Sequence, residues 1–403
     1  MLLLLGVIFL GSSSAPLLLM TSLASVGATL VIASSERGIS QVGRLLSLSP
    51  IVFIGLISYS LYLWHWPLTV FQRTDALFSA DASASAQLIL IVLSVGIAYL
   101  SWKLVELPFR ALARETSKAV FGAASTAMAA MFTLCGLTLI VGGAPSRFPD
   151  RAVQIGAYLA YDSSSQFRTG HCFLLTSRQQ FDAETCMKLD STRPNYLLVG
   201  DSHAAHLWSG LASAMPEVDI MQATASLCRP AVLPGSRYDT RVCRTLMQYV
   251  FDDFLVNNKI DKVLLAASWK DEDLPILSTT LEILKSRGVD VTVLGPIVEY
   301  DAALPRLLAD EILRDSPASA NARRTPGIRE RDLAMREMVS VRGATYLSVY
   351  DAVCHNGHCD EFADDRVPMQ FDAGHLTAKG SVEVGRRLSA ALRKFASAHH
   401  ASN

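Results

Sequence analysis

The stretch that decides the fold is YLLVGDSHAAHLW, Tyr196–Trp208. An apolar run leads into Gly-Asp-Ser-His, and small and apolar residues at helical spacing follow at once. A buried strand that turns directly into a helix is the repeating unit of a parallel α/β sheet. Ligands of such sheets bind at the carboxyl ends of the strands. The sequence therefore predicts that Ser202 lies at the edge of the sheet where a site would form.

The same alternation continues to the end of the chain. Four more short runs are rich in Val, Leu and Ile: VDIMQATA, DKVLLAAS, DVTVLGPI and ATYLSVY. Segments of helical length accompany them: His203–Ala214, Cys243–Asn257, Leu274–Arg287, Gly327–Val341 and Thr377–Ala396. The pattern predicts an α/β domain over residues 191–403, with a parallel sheet covered by helices on both faces. Residues 143–190 are predicted to be a linker or an extension of that domain.

The first third of the chain has a different composition. The protein has 403 residues and a net charge of -1, which favours several domains and gives no reason to expect a nucleic-acid partner. Four long uncharged runs follow one another: Ala15–Ser34, Ile51–Phe71, Ala86–Trp102 and Ala119–Val141. Runs of about 20 apolar residues are typical of membrane-spanning helices. Buried helices of a large soluble core are the alternative, and four successive runs argue against it. Met1–Leu10 is only half a span, and we interpret it as the end of a helix that begins upstream; a secretory signal is the other interpretation.

The orientation follows from positive charge. Lys103–Lys118 carries four basic residues and Ser35–Pro50 carries two, whereas Gln72–Ser85 carries only Arg73. By the positive-inside rule the two basic segments face the cytoplasm. The run from Ala119 then leaves the cytoplasm, so residues after Gly143 are predicted to lie outside.

The cysteines provide an independent test of this topology. Of seven cysteines, Cys135 lies in the last apolar run and the other six follow it. An even number of cysteines in an oxidising compartment predicts disulfides. Sequence neighbours suggest three pairs: Cys172–Cys186, Cys228–Cys243 and Cys354–Cys359. A zinc site is the alternative, but the chain contains no Cys-x-x-Cys pair. No metal is predicted.

Ser202 needs a base to become a nucleophile, because a serine hydroxyl is weak until its proton is removed. His375 is the best placed of the nine histidines, with Asp372 three residues before it and the last helix just after it. Asp372 can orient His375, and His375 can then reach Ser202. The alternative is that Ser202 only caps the helix that follows. His203 and His206 are predicted to be helix-face residues near the pocket.

Gly200-Asp201-Ser202 together with Asp372-x-x-His375 resembles the pattern of the SGNH (GDSL-like) hydrolases. The resemblance implies that Ser202 is the nucleophile, His375 the general base and Asp372 its orienting carboxylate, with the Ser202 N–H as one oxyanion donor. The family's glycine and asparagine for the oxyanion hole are not evident. ATASLCRP has no glycine, and Ser268 and Trp269 stand where the asparagine is expected. The candidates for the oxyanion hole and the pocket are Ser202, Ser226, Trp269 and His203.

GLISYSLYLWHWPLTVF (Gly55–Phe71) and WKLVELPFR (Trp102–Arg110) resemble the last helices of the acyltransferase family 3 membrane domain. Residues 1–118 then correspond to the C-terminal part of that domain, and 119–142 to an additional membrane helix before an external SGNH domain. The characteristic residues of the first motif are Tyr62, Trp64, His65 and Trp66. His65 is either functional or part of an interfacial anchor. The family's residues for the acyl donor belong to helices upstream of those seen in this chain.

The resemblance implies an O-acyltransferase of the bacterial inner membrane, with several spans and its C-terminal domain in the periplasm. The acyl group would come from acetyl-CoA through the membrane domain, with no bound cofactor. Ser202 would pass it to an envelope glycan such as an O-antigen. The expected partners are the glycan, membrane lipid and a chain carrying further N-terminal helices. A membrane-anchored carbohydrate esterase and a non-catalytic fragment or assembly subunit remain as alternatives.

Overall fold

A computed structural model describes residues 17–35, 41–73, 84–112, 117–232, 240–314 and 320–400. The chain divides into two compact units, Met1–Val141 and Gly142–Asn403. We call them the helical unit and the α/β unit.

The helical unit consists of apolar helices joined by short segments. Its described helices are α1 Leu17–Ser35, α2 Gln41–Leu46, α3 Ser49–Arg73, α4 Ala84–Ser101, α5 Leu107–Leu112 and α6 Ser117–Ile140. A π-helical turn, Trp102–Glu106, joins α4 to α5. Three described helical stretches are long and apolar enough to cross a membrane: Ser49–Gln72, Ala84–Ala111 and Lys118–Ile140. Their length and composition are those of a membrane protein.

These three stretches contain the predicted runs Ile51–Phe71 and Ala86–Trp102, and the run Ala119–Val141 up to Ile140. The first predicted run begins outside the described residues, and its apolar helical part, Thr21–Ala33, is shorter than a span. Met1–Leu10 also lies outside the described residues.

The α/β unit is built on a six-stranded sheet in the order β1-β3-β2-β4-β5-β6. Its strands are β1 Phe173–Leu174, β2 Asn195–Gly200, β3 Asp219–Ala225, β4 Lys262–Ala266, β5 Val291–Leu294 and β6 Thr345–Leu347. All neighbouring strands are parallel. The five predicted strands are therefore confirmed. β1 was missed because two residues carry no periodic pattern.

Helices cover both faces of this sheet. They are α7 Asp150–Gly156, α8 Ser164–Phe167, α9 Ala183–Cys186, α10 Ser202–Ala214, α11 Arg241–Gln248, α12 Leu255–Asn257, α13 Leu274–Ser286, α14 Leu304–Arg314, α15 Ile328–Val341, α16 Val349–Val353 and α17 Ala378–His400. The helix predicted over Cys243–Asn257 is interrupted by a π-helical turn, Tyr249–Phe254. Two small hairpins precede α17, namely β7 Cys354–His355 with β8 His358–Cys359, and β9 Phe362–Asp364 with β10 Val367–Pro368.

The central strand β2 is buried on both faces, as its continuous apolar run predicts. Tyr196 and Leu198 pack into the core beneath α10 and α17, and Leu197 and Val199 pack into the core on the opposite face. This arrangement fixes the carboxyl end of β2, and Ser202 with it, between two rigid layers.

The segment 143–190 is an integral part of the α/β unit. Ile155 of α7 is 1% exposed and shares a core cluster with Leu307 and Leu308 of α14. β1 adds the edge strand of the sheet through its pairing with β3. From Asp150 onward the segment is therefore an extension that completes the fold, which is one of the two predicted interpretations.

The six cysteines that follow the last apolar run are paired as the sequence predicted. The disulfides join Cys172 to Cys186, Cys228 to Cys243 and Cys354 to Cys359. Cys135 is a free thiol in α6. The first two bridges close loops next to β1 and β3, so they stabilise the β1 edge of the sheet.

α10 and α17 cross at two glycines. A Cβ atom on Gly210 would lie 1.8 Å from the carbonyl oxygen of Ser381, and one on Gly385 would lie 2.4 Å from the Gly210 backbone. The Gly210 N–H also donates to the Ser381 Oγ at 2.9 Å. This close approach sets the distance between the helix that begins with Ser202 and the helix that follows His375.

Gly210→Ala is expected to lower the free energy of unfolding by about 1–3 kcal/mol, because the backbone of α17 must move to admit the methyl group. Gly156→Ala is the matched control, since a Cβ there meets nothing within 4 Å. It should be neutral or stabilise by up to about 1 kcal/mol. Urea denaturation of the full chain in detergent, followed by tryptophan fluorescence, measures both. Equal effects of the two substitutions would contradict the close-packing argument.

Candidate active site

Ser202 is the first residue of α10 and follows β2 by one residue. Asp201 is the N-cap of the helix, and its Oδ1 accepts the N–H of His203 at 2.8 Å. The turn is tight, because a Cβ on Gly200 would lie 1.7 Å from the Ala266 carbonyl oxygen on β4. Only glycine fits there. The helix is thus capped by Asp201, and the Ser202 hydroxyl is left for another partner.

That partner is His375. Its Nε2 lies 2.8 Å from the Ser202 Oγ, and its Nδ1 lies 2.7 Å from the Asp372 Oδ2. The other oxygen of Asp372 accepts the N–H of Gly374 at 2.9 Å and of His375 at 2.7 Å. A carboxylate can only accept from Nδ1–H, so Nε2 is free to accept the serine proton. This geometry suits proton transfer from Ser202 to His375.

Burial raises the pKa of Asp372, but the hydrogen bonds from His375 and Gly374 outweigh it and hold the pKa below the ordinary value of 3.8. A lowered folded-state pKa means that Asp372 stabilises the fold above its ordinary pKa, and that this contribution is lost as the pH falls through the folded value. The stability difference between wild type and Asp372→Asn should therefore be constant near neutral pH and shrink below 3.8. Urea midpoints measured from pH 7 to about pH 2 test this. A difference independent of pH would contradict it.

Asp201 connects the three loops that surround Ser202. Its carboxylate accepts the Ser268 N–H after β4 at 3.0 Å and pairs with Arg229 after β3 at 2.8 Å. Arg229 also binds Asp273 at 2.7 Å, and all three charged side chains are at most 5% exposed. Burial raises the pKa of Asp201 despite the guanidinium beside it. In the sequence, Asp201 stood out only as the middle residue of the Gly-Asp-Ser motif, and nothing identified Arg229 as its partner.

Two further imidazoles adjoin His375. The His203 and His206 ring centroids lie 5.0 Å and 5.8 Å from that of His375. Burial holds the pKa of both well below its ordinary value, so both are neutral at pH 7. Both stand on α10 near the site, where they were predicted. The main-chain N–H of His203 is used by Asp201, so it is unavailable to an oxyanion.

Hydrogen bonds within the fold exclude some of the predicted oxyanion donors. Trp269 is 2% exposed, its Nε1 donates to the Leu294 carbonyl at 2.8 Å, and its main-chain N–H donates to Ala267. Its prediction as an oxyanion or pocket residue is therefore wrong. The N–H of Ser226 donates to the Leu174 carbonyl at 2.7 Å, so its main chain is also unavailable. Ser202 remains the main-chain candidate, since its N–H has no hydrogen-bond acceptor among the described residues.

A family model described as "SGNH domain (fused to AT3 domains)" matches residues 171–390, more than half of the chain. The chain belongs to this SGNH family. It is 34% identical over 80 residues to the "O-acetyltransferase OatA" of Staphylococcus aureus, which is 20% of this chain and 13% of the relative. It thus spans only about an eighth of the curated relatives that it matches. The periplasmic domain of a lipopolysaccharide acetyltransferase from Salmonella ser. Paratyphi A superimposes with a TM-score of 0.51 at 22% identity. That superposition covers 59% of this chain and 96% of the Salmonella domain.

The superposition supports the SGNH fold of the α/β unit, which is the fold that the sequence predicted. The match begins at residue 171, so α7 and α8 precede it. Within the described residues no group of three or more His, Cys, Asp or Glu side chains could hold a metal ion.

The helical unit of this SGNH family member places its predicted motif on α3. His65 Nδ1 donates to the Tyr62 carbonyl of its own helix at 2.8 Å. His65 also lines a pocket of about 520 Å³ between α3 and α4. The side chains of Tyr62, Trp64 and Trp66 are exposed in the unit. The Glu106 carboxylate pairs with Arg110 at 2.5 Å and accepts a hydrogen bond from the Ser60 hydroxyl at 3.1 Å. Both predictions for His65, functional or anchoring, stay open.

Proposed function

We propose that the protein is a membrane-bound O-acyltransferase that passes an acyl group, most simply acetyl, from Ser202 to a hydroxyl of an envelope glycan. The observation that carries the proposal is the hydrogen-bonded series Asp372–His375–Ser202 at the carboxyl end of the sheet. Membership of a family described as fused to AT3 domains supports acyl transfer. So do two similar proteins, an O-acetyltransferase and the periplasmic domain of a lipopolysaccharide acetyltransferase.

The chemistry needs two proton transfers through one imidazole. His375 Nε2 takes the Ser202 proton while Oγ attacks the acyl carbonyl, and the same proton then leaves with the donor group as the serine ester forms. A sugar hydroxyl next gives its proton to His375 and attacks the ester, and Ser202 leaves with that proton. Asp372 holds the imidazole in the required tautomer. The Ser202 N–H is aimed at the developing oxyanion.

The donor is proposed to be acetyl-CoA on the cytoplasmic side, acting through the helical unit and a partner chain that carries further helices. The charge asymmetry around α3 and α4 supports several spans of a bacterial inner membrane with the α/β unit in the periplasm. Three disulfides support the same compartment.

A test that bypasses the donor pathway uses 4-nitrophenyl acetate as an activated ester. The full chain in detergent is mixed with this ester and with a glycan fraction. The glycan is released from the envelope of the bacterium that naturally makes this protein. We expect acetyl-Ser202 on the peptide that spans residues 195–208 by mass spectrometry, and O-acetyl groups on the glycan. Acetate release without glycan acetylation would overturn the transferase proposal.

That outcome would favour a second candidate, a membrane-anchored carbohydrate esterase. The side chains of His375 and Asp372 are 25% and 42% exposed, so water can reach the same triad. Such an esterase would also remove acetyl groups from pre-acetylated glycan.

A further inference from the structure

A row of aromatic rings leads away from His375. Phe371 stacks on the His375 ring at 5.8 Å between centroids and at 17° between planes. Tyr161 stacks on Phe371 at 4.9 Å, and Tyr158 stands 6.0 Å from Tyr161. The three residues Phe371, Tyr161 and Tyr158 are all partly exposed, and we call them the aromatic row.

The aromatic row is held rigidly beside the triad. The Tyr161 hydroxyl accepts the Ala378 N–H at 3.0 Å and donates to the Gln166 Oε1 at 3.0 Å. Gln166 is buried, and its amide donates to the Leu376 carbonyl at 3.1 Å. Two of these contacts therefore reach the backbone just after His375. These bonds fix the position of the Tyr161 ring relative to the backbone that follows His375.

A polar cleft of about 820 Å³ opens between α7 and the β9–β10 hairpin. Its charged or amide side chains are Asp150, Arg151, Gln154, Asp364, Asp365 and Arg366. Phe362 adds one aromatic side chain. Lys379, four residues after His375, pairs with Asp364 and so connects the start of α17 to the cleft. Tyr158 is in the 3₁₀ turn that directly follows α7. Tyr158 and Tyr161 of the aromatic row and the α7 side of the cleft thus belong to the same segment before residue 171.

The composition of this region indicates the class of ligand. The cleft carries three carboxylates and two guanidinium groups, so it offers both acceptors and donors and has no single strong sign of charge. A polyanion would need a basic surface. Aromatic rings with a few placed polar groups suit a ligand with apolar faces and many hydroxyls. A neutral oligosaccharide has both properties.

We propose that the aromatic row and the cleft form the acceptor site, which holds several sugar rings of a neutral envelope glycan with one hydroxyl beside Ser202. The biological role of this site rests on the proposed function, whereas the binding of a neutral glycan to it can be tested separately. The segment before residue 171, outside the part of the chain that matches the family model, supplies Tyr158, Tyr161 and half of the cleft. It would therefore contribute to the choice of glycan.

The test measures binding without turnover. The full chain with Ser202→Ala, in detergent micelles, is titrated calorimetrically with the glycan fraction released from the producing cell's envelope. Adding Tyr158→Ala should weaken binding by at least about tenfold, because one aromatic contact is lost. Asp365→Ala should weaken it as well. Tyr158→Phe keeps the ring and should bind normally. Leu159→Ala, an exposed neighbour on the same turn, is the matched control for folding.

Equal affinities of Tyr158→Ala and Leu159→Ala chains would overturn the proposal, and so would a parent chain that binds no glycan. Loss of binding in both variants would show a damaged turn and would also count against it. Failure of the proposed function has a different signature, in which the wild-type chain binds glycan but transfers no acetyl group to it.

Discussion

Ser202→Ala is expected to lower acetyl transfer to glycan by roughly 10³–10⁶-fold, the range typical of removing the nucleophile of a serine triad. His375 and Asp372 would remain hydrogen-bonded to each other, but no atom would be left to carry the acyl group. The measurement is the initial rate of glycan acetylation from 4-nitrophenyl acetate by the full chain. A fluorophosphonate probe should label the wild type and leave the variant unlabelled.

Ser213→Ala is the matched control, because Ser213 is an exposed serine on the same helix, and its hydroxyl donates to the Ser209 carbonyl at 2.7 Å. It should retain the wild-type rate within about twofold, as surface substitutions generally do. A Ser202→Ala chain that still acetylates glycan at more than about a tenth of the wild-type rate would exclude a serine ester intermediate. Labelling of that variant by the probe would point to another nucleophile.

The triad could be predicted from the sequence because its three members are marked by position. Ser202 follows an apolar strand, and Asp372 and His375 stand three residues apart just before the last helix. A parallel sheet brings the residues after its strands to one edge. The disulfides could be predicted for a similar reason, since each bridge joins cysteines that are neighbours in sequence.

The surroundings of the triad could not be predicted in the same way. Arg229 and Asp201 are 28 residues apart, and Gln166 reaches Leu376 over 210 residues. No periodic pattern encodes such contacts, because they depend on how loops pack after the sheet has formed. Trp269, by contrast, was predicted at the site but does not belong to it. It occupies the expected place after β4, but its indole turns into the core, where its Nε1 finds the Leu294 carbonyl.

The extension was underestimated because its elements are short. α7 has seven residues and α8 has four, too few for helical periodicity to stand out from polar surroundings. Their stability comes from tertiary packing, as with Ile155 against α14. The sequence therefore marked the proposed catalytic residues more clearly than the segment proposed to select the acceptor.

Arg229→Met is expected to lower the free energy of unfolding by about 3–5 kcal/mol, because it leaves two buried carboxylates without their cation. Asp201 and Asp273 are each 2% exposed, so water cannot replace the guanidinium. Arg229→Lys should recover only part of the loss, since Nε and Nη1 now serve different carboxylates and one ammonium has a single nitrogen. Urea denaturation of the full chain in detergent measures each variant.

Arg342→Met is the control, because Arg342 pairs with Glu282 at the surface, where both side chains are more than 40% exposed. An exposed pair contributes at most about 1 kcal/mol. If Arg229→Met cost no more than this control, the buried network would not hold the loops after β2, β3 and β4 together. Ser202 would then owe its position to the capping of α10 alone. A large loss would mean that the fold and the geometry of the nucleophile depend on the same carboxylate, Asp201.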